Sequence, residues 1–178
     1  PGDEANFRRK IERLIEDFGN SIDLHLDPRH EYTLFNGRAD SVYNRFVIEF
    51  EPPGSLRPTN TSRPNQHAIK QVEGYIEGLH RRERQRKERI AGVATDGHWL
   101  VFVRFRNDRF ERDDPVPVAT ESTERFLRYL NALSTELAVT PENLIRDFGE
   151  NTRISRPCVS RLYAALVGSG HARVEALF

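Results

Sequence analysis

Between Gly37 and Glu51 the chain reads GRADSVYNRFVIEFE, and its three carboxylates, Asp40, Glu49 and Glu51, could together hold a cation or move a proton. Phe46–Glu51 reads as a strand, because apolar and β-branched residues dominate it. Side chains alternate along a strand, so Phe46, Ile48 and Phe50 share one face and Val47, Glu49 and Glu51 the other. With 34–40 as the preceding strand and 41–45 as the turn, Asp40 returns beside Glu49, and the carboxylates converge on one sheet face. Like charges at that range repel and raise each other's pKa. A hard divalent cation with oxygen ligands relieves the repulsion. The same spacing also fits a half-exposed strand whose acids face water, with Asp40 an ordinary turn residue. Spacing alone leaves both readings open.

The order of motifs is more informative. Gly37-Arg38-x-Asp40 is followed by a strand carrying Glu49-x-Glu51, then Pro52-Pro53-Gly54, then Gln71-x-x-x-Tyr75 on a helix. This order resembles the PD-(D/E)XK nuclease superfamily, and more narrowly the nuclease region at the front of bacterial restriction enzymes fused to DNA methyltransferases. The resemblance runs over roughly residues 7–105. It implies a restriction-endonuclease-like α/β fold and Mg²⁺-dependent cleavage of DNA, with Mn²⁺ able to substitute. On that pattern Asp40 and Glu49 bind the metal, Gln71 orients a water or a phosphate oxygen, and Arg38 meets phosphate or braces the acids. The first helix of the superfamily often adds an acid, for which Glu16 is the candidate. The superfamily's last signature position is lysine and here is Glu51. A glutamate there ligates metal or accepts a proton instead, and Lys70 is the nearest lysine to stand in as the cation.

Several elements must position these groups. Asn6–Asp17 reads as a helix with Phe7, Ile11, Leu14, Ile15 and Phe18 on one face, ended by Gly19. Its acids Glu12 and Glu16 fit a solvated face paired with Arg8, Arg9 or Arg13. Residues 21–29 read as a short strand or loop and Glu31–Gly37 as the first strand of a hairpin. Ser55–Asn65 is a polar loop. From Asn65 to His80 or beyond, Ile69, Val72, Ile76 and Leu79 stripe a long helix. The run Arg81, Arg82, Arg84, Arg86, Lys87 that follows fits either a solvated helix extension or a surface tracking phosphates, and Arg104 begins a second basic stretch. Ile90–Thr95 and Trp99–Phe105 are strands joined at Asp96-Gly97. Asp113–Val118 is a linker, Ser122–Ala138 a helix, and further helices are expected at Glu142–Phe148 and Arg156–Val167. These boundaries predict an α/β core over 1–112, a mixed central sheet flanked by helices, and a helical portion over 113–178 that leads towards further domains.

Composition sets outer limits. The chain has 178 residues, 37% hydrophobic and 30% charged, with 27 basic and 27 acidic side chains. A zero net charge weighs against a nucleic-acid binder, although charge distribution matters more than the sum. No apolar run approaches a membrane span, the first residues are charged, and Cys158 is the single cysteine. A reducing cytoplasm is the expected compartment. Neither a phosphate-binding Gly-rich loop nor His-Glu-x-x-His occurs. Two functions follow as expectations: a DNA endonuclease acting as a homodimer or within a larger enzyme, or a catalytically inactive nucleic-acid-binding or regulatory module of the same fold.

Overall fold

Apolar alternation over FVIEF makes β3 (Phe46–Phe50) a strand buried on both faces, and the other layers assemble around it. The computed structural model describes residues 2–133 except Asn36, together with Arg161 and Ala164. A helix α1 (Gly2–Ser21) precedes β1 (Pro28–Leu34), β2 (Gly37–Tyr43) and β3. Then come α2 (Arg63–Glu83), a short 3-10 turn at Lys87–Arg89, β4 (Ala91–Thr95), β5 (Trp99–Arg106), β6 (Arg109–Arg112), β7 (Val116–Pro117) and α3 (Thr120–Ala132). The strands form one mixed sheet in the order β1-β2-β3-β4-β5-β6, with β7 also pairing β5. Among the described residues only β3 and β4 run parallel, and α2 is the crossover between them.

The two faces carry separate cores. Ala39, Val42, Val47, Ala94, Val101 and Val103 pack under Val72, Ile76 and Leu79 of α2. Tyr43, Phe46, Ile48, Phe50, Val93 and Phe102 pack against Ile15 of α1 and Phe126 and Leu130 of α3. The alternation expected for β3 is therefore observed. Helix α2 lies so close over β4 that a Cβ on Gly92 would sit 2.4 Å from Val72 Cγ1. Its start is fixed by Ser62, whose side chain accepts from the Asn65 N–H, with Pro64 in the first turn.

Several expected boundaries move. The turn expected over 41–45 is a two-residue loop at Asn44-Arg45, with Asn44 at φ +55°, so Ser41–Tyr43 belong to β2. Asparagine tolerates that conformation because its short polar side chain can bond locally. A second turn separates β1 from β2, where one strand was expected over 34–40. Gly19 lies inside the last turn of α1, and its carbonyl accepts from the Leu24 N–H at 2.9 Å. Leu14, expected on the buried face, is 63% exposed. The polar loop before α2 is pinned: the Leu56 N–H donates to Asp96 Oδ2 at 2.9 Å and Leu56 is buried.

The basic run is not one helix extension, because α2 ends at Glu83 with Arg84 left-handed at φ +55°. Beyond residue 112 the chain adds β7, which pairs with β5, and contacts divide the chain into units of 1–137 and 138–178. Helix α3 spans Thr120–Ala132; the helix expected at 142–148 lies outside the described residues, as does that at 156–167 apart from Arg161 and Ala164, which are both helical. Among the described residues no helix is long and apolar enough to cross a membrane.

Candidate active site

Asp40 occupies an irregular point in β2. Ser41 Oγ donates to Glu12 of α1 at 2.5 Å, and Asp40 Oδ1 accepts from Arg8 Nη1 of α1 at 3.0 Å. Consecutive strand residues normally face opposite ways, yet these two reach the same helix. The strain is shared by the neighbouring strand: between the pairs His30↔Ser41 and Tyr32↔Ala39, Glu31 has φ +50°. On the other side, the β2–β3 ladder stops at Ser41↔Ile48. Asp40 Oδ2 takes over there as acceptor for the Phe50 N–H at 2.9 Å. Asp40 thus marks where β2 and β3 part.

Glu49 lies on the α2 face of β3 and is 6% exposed. Gln71 of α2 donates from Nε2 to Glu49 Oε1 at 2.7 Å. Glu49 Oε2 and Gln71 Oε1 are both buried and without a well-formed hydrogen bond, with the Tyr75 hydroxyl near enough to act on both side chains. Burial, then the negative charges of Asp40 and Glu51, push the Glu49 carboxyl up to about 9, with the Asp40 backbone N–H working the other way. Glu51, half-buried just past the strand, is also raised, chiefly by burial, with His67 opposing and Glu4, Asp40 and Asp96 adding to it. Tyr75, one turn beyond Gln71, is held at about 12 by burial and the Glu49 charge.

The acids feel one another, but they do not converge as the spacing suggested. Among the described residues no group of three or more His, Cys, Asp or Glu side chains is gathered closely enough to hold a metal ion. The physical reason is Asp40, which is turned towards α1 and engaged by Arg8 and by the Phe50 N–H. Glu16 does not join the group either, since its Oε1 faces His30 Nε2 at 3.2 Å. It is Arg8, not an acid, that α1 presents to Asp40, while also donating to Glu31 at 3.1 Å and lying 3.7 Å from Glu12. A sequence signal for this existed only as an amphipathic helix with a basic residue near its start. The pairing spans 32 residues, and no local period encodes it.

The donor set still suits a hard cation. Glu49 and Gln71 each leave a buried oxygen without a well-formed hydrogen bond, the charges of Asp40 and Glu51 act on Glu49, and such cations take oxygen ligands. Lys70 is exposed on α2, next to Gln71 in the chain. Arg38 is exposed and 3.4 Å from Glu31.

The basic residues divide into two groups. Lys87 is 2.7 Å from Glu77 and stacks on Phe105, and Arg104 binds Glu111, Asp113 and the Tyr129 hydroxyl. These two are paired with acids of the same chain. Arg81, Arg84 and Arg86 are exposed, Arg86 3.8 Å from Glu88. Arg82 is also exposed, but it donates to the Thr33 carbonyl and lies over the Tyr32 ring.

No protein-family model and no curated protein matches the chain. Among solved structures, the type IIG restriction endonuclease BpuSI is similar at 13% identity with a TM-score of 0.49. That overlap covers 74% of this chain and 16% of the BpuSI chain. An overlap this distant assigns no residue a role.

Proposed function

We propose that this chain is a Mg²⁺-dependent endodeoxyribonuclease, the nuclease portion of a restriction or phage-defence enzyme. The observation that carries the reading is Glu49: a carboxyl buried on a sheet face, fixed through one oxygen by Gln71, with its second oxygen lacking a well-formed hydrogen bond. An unpaired buried polar atom is costly, and an acid kept in such a place has a use for its charge. The ordered motifs from Arg38 to Tyr75 support the same reading.

Asp40 and Glu49 would hold the ion, with Glu51 at the rim. Mg²⁺, or Mn²⁺ in its place, supplies charge neutralisation at the phosphate and acidifies a water when bound. The chain supplies the rest. Gln71 keeps Glu49 in one rotamer and leaves its own Oε1 as an acceptor towards the site. Glu51, raised by burial, takes a proton from the attacking water. The water oxygen bonds to phosphorus, the ester P–O bond breaks, and the leaving oxygen gains a proton from solvent. Lys70 and Arg38 meet the phosphate from the exposed side.

The test is cleavage of supercoiled plasmid in Mg²⁺ and in Mn²⁺. Asp40→Asn and Glu49→Gln abolish it. Glu51→Gln lowers it by ~10²-fold, within the range of general-base catalysis, and Glu51→Lys retains part of it. Wild-type rates in Glu49→Gln, or equal rates in EDTA, contradict the reading.

One observation favours a second reading, an inactive DNA-binding or regulatory module. Arg8 already neutralises Asp40 without any ion. On that reading DNA binds equally with and without divalent cations, and no cleavage accompanies it.

A further inference from the structure

The turn between β1 and β2 carries Phe35, which is 82% exposed. Unlike a scattered surface apolar residue, it stands in a built setting. Leu34 on one side packs on Gly78 of α2, where an added Cβ would lie 2.9 Å from Leu34 Cβ. Gly37 on the other side lies against Tyr75, whose ring would be 3.4 Å from an added Cβ. On β1, the strand of Leu34, the Tyr32 ring meets the guanidinium groups of Arg29 at 4.7 Å and Arg82 at 4.5 Å. Arg81 reaches over Phe35 at 5.8 Å from the ring centroid. Phe35 is therefore flanked on both sides by residues packed on α2, which limits the ordering entropy lost when something stacks on its ring.

Charge selects the occupant. Arg38, Arg81 and Arg84 are exposed: Arg38 beside Glu31 of β1, Arg81 over Phe35, and Arg84 at the end of α2 three residues further on. The nearby acids are engaged: Glu31 by Arg8 and Arg38, and Glu83 by Arg29 and the Tyr32 hydroxyl. An exposed aromatic among arginines matches a nucleic-acid strand, whose bases stack and whose phosphates pair. The same helix connects this point to the site. From Gln71 to Arg81 is a rise of roughly 15 Å along α2, or about four steps of a DNA strand.

We propose that Phe35 stacks on an exposed base of the DNA strand, a few nucleotides from the phosphate at Glu49, while Arg81 and Arg84 hold the flanking phosphates. This rests on the nuclease reading above. The test compares binding, in metal-free buffer, of a labelled single strand and of a matched strand made of abasic residues. The wild-type chain binds the base-bearing strand more tightly. Phe35→Ala loses that preference, weakening the base-bearing strand by about 5- to 150-fold, the range of one aromatic stacking partner. Its affinity for the abasic strand and its salt slope stay unchanged. Phe35→Trp keeps the preference and shows indole quenching by the base-bearing strand only. Equal binding of the base-bearing strand by wild type and Phe35→Ala overturns the stacking role alone. Failure of the wild type to bind either strand overturns the stacking proposal, and plasmid cleavage then decides the nuclease reading by itself. A sedimentation shift on Phe35→Ala, with DNA binding unaltered, assigns the turn to contact with a second copy and also overturns the proposal.

Discussion

Glu49 makes a residue-scale prediction that needs no DNA. In the unfolded chain its carboxyl loses a proton near the ordinary 4.5, and in the folded chain near 9. Between those values the folded state binds more protons than the unfolded one. Stability therefore falls as pH rises through that window in ion-free buffer. The raised Glu51 acts in the same sense. The lowered Glu31 acts oppositely, but below the ordinary carboxylate value, as acid protonates it. Glu49→Gln, which cannot ionise, should flatten the profile and raise the melting temperature most near pH 9. Melting curves across pH in a chelator test this. A wild-type profile in the variant would mean that the Glu49 carboxyl is not held neutral by its surroundings.

Among the elements, the β4–β5 hairpin depends on one side chain. Asp96 is 1% exposed and accepts from the His98 and Trp99 N–H groups through Oδ1 and from the Leu56 N–H through Oδ2, each at 2.9 Å. It closes the hairpin and ties down the loop after β3 that runs beside the candidate site. Asp96→Ala leaves these donors unsatisfied and should cost about 3 kcal/mol or more, a drop of roughly 10 °C in Tm. Asp96→Asn, which keeps an acceptor, should cost less. Urea unfolding decides it, and a loss below about 1 kcal/mol for Asp96→Ala would contradict this role. This hairpin was legible in the sequence because Asp96-Gly97 is a local turn signal, with Gly97 at φ +86°. β3 was legible from its period of two, and α2 from Ile69, Val72, Ile76 and Leu79. The Asn44-Arg45 turn was not, because asparagine followed by arginine lacks the glycine that marks tight hairpins. Nor was the place of Asp40. Its orientation is set by Arg8, which is remote in the chain, and by the point where the β2–β3 ladder stops. The spacing brought Asp40 beside β3, as observed, but put it on the face of Glu49 rather than towards α1.

For the whole molecule, the sheet divides two kinds of work. The face under α1 and α3 carries an aromatic-rich core, the Glu12, His30 and Ser41 group, and Arg104 and Arg125 against Tyr129 and Phe102, and it braces Asp40 through Arg8. The face under α2 carries the other core, Glu49 and Gln71, and leads to the turn bearing Phe35. α2 therefore links the candidate chemistry and the candidate DNA contacts on one rigid element. A net charge of zero is compatible with that arrangement, because exposed arginines are concentrated near the end of α2 while Lys87 and Arg104 are neutralised internally. The central claim is that the edge of β3 takes a divalent cation. It is tested most directly by the melting temperature of the chain in millimolar Mg²⁺ or Mn²⁺ against a chelator. An ion at 100 times its Kd adds about 2.7 kcal/mol. The account predicts a rise in Tm that Asp40→Asn and Glu49→Gln each remove, whereas melting curves unchanged by either ion would contradict it.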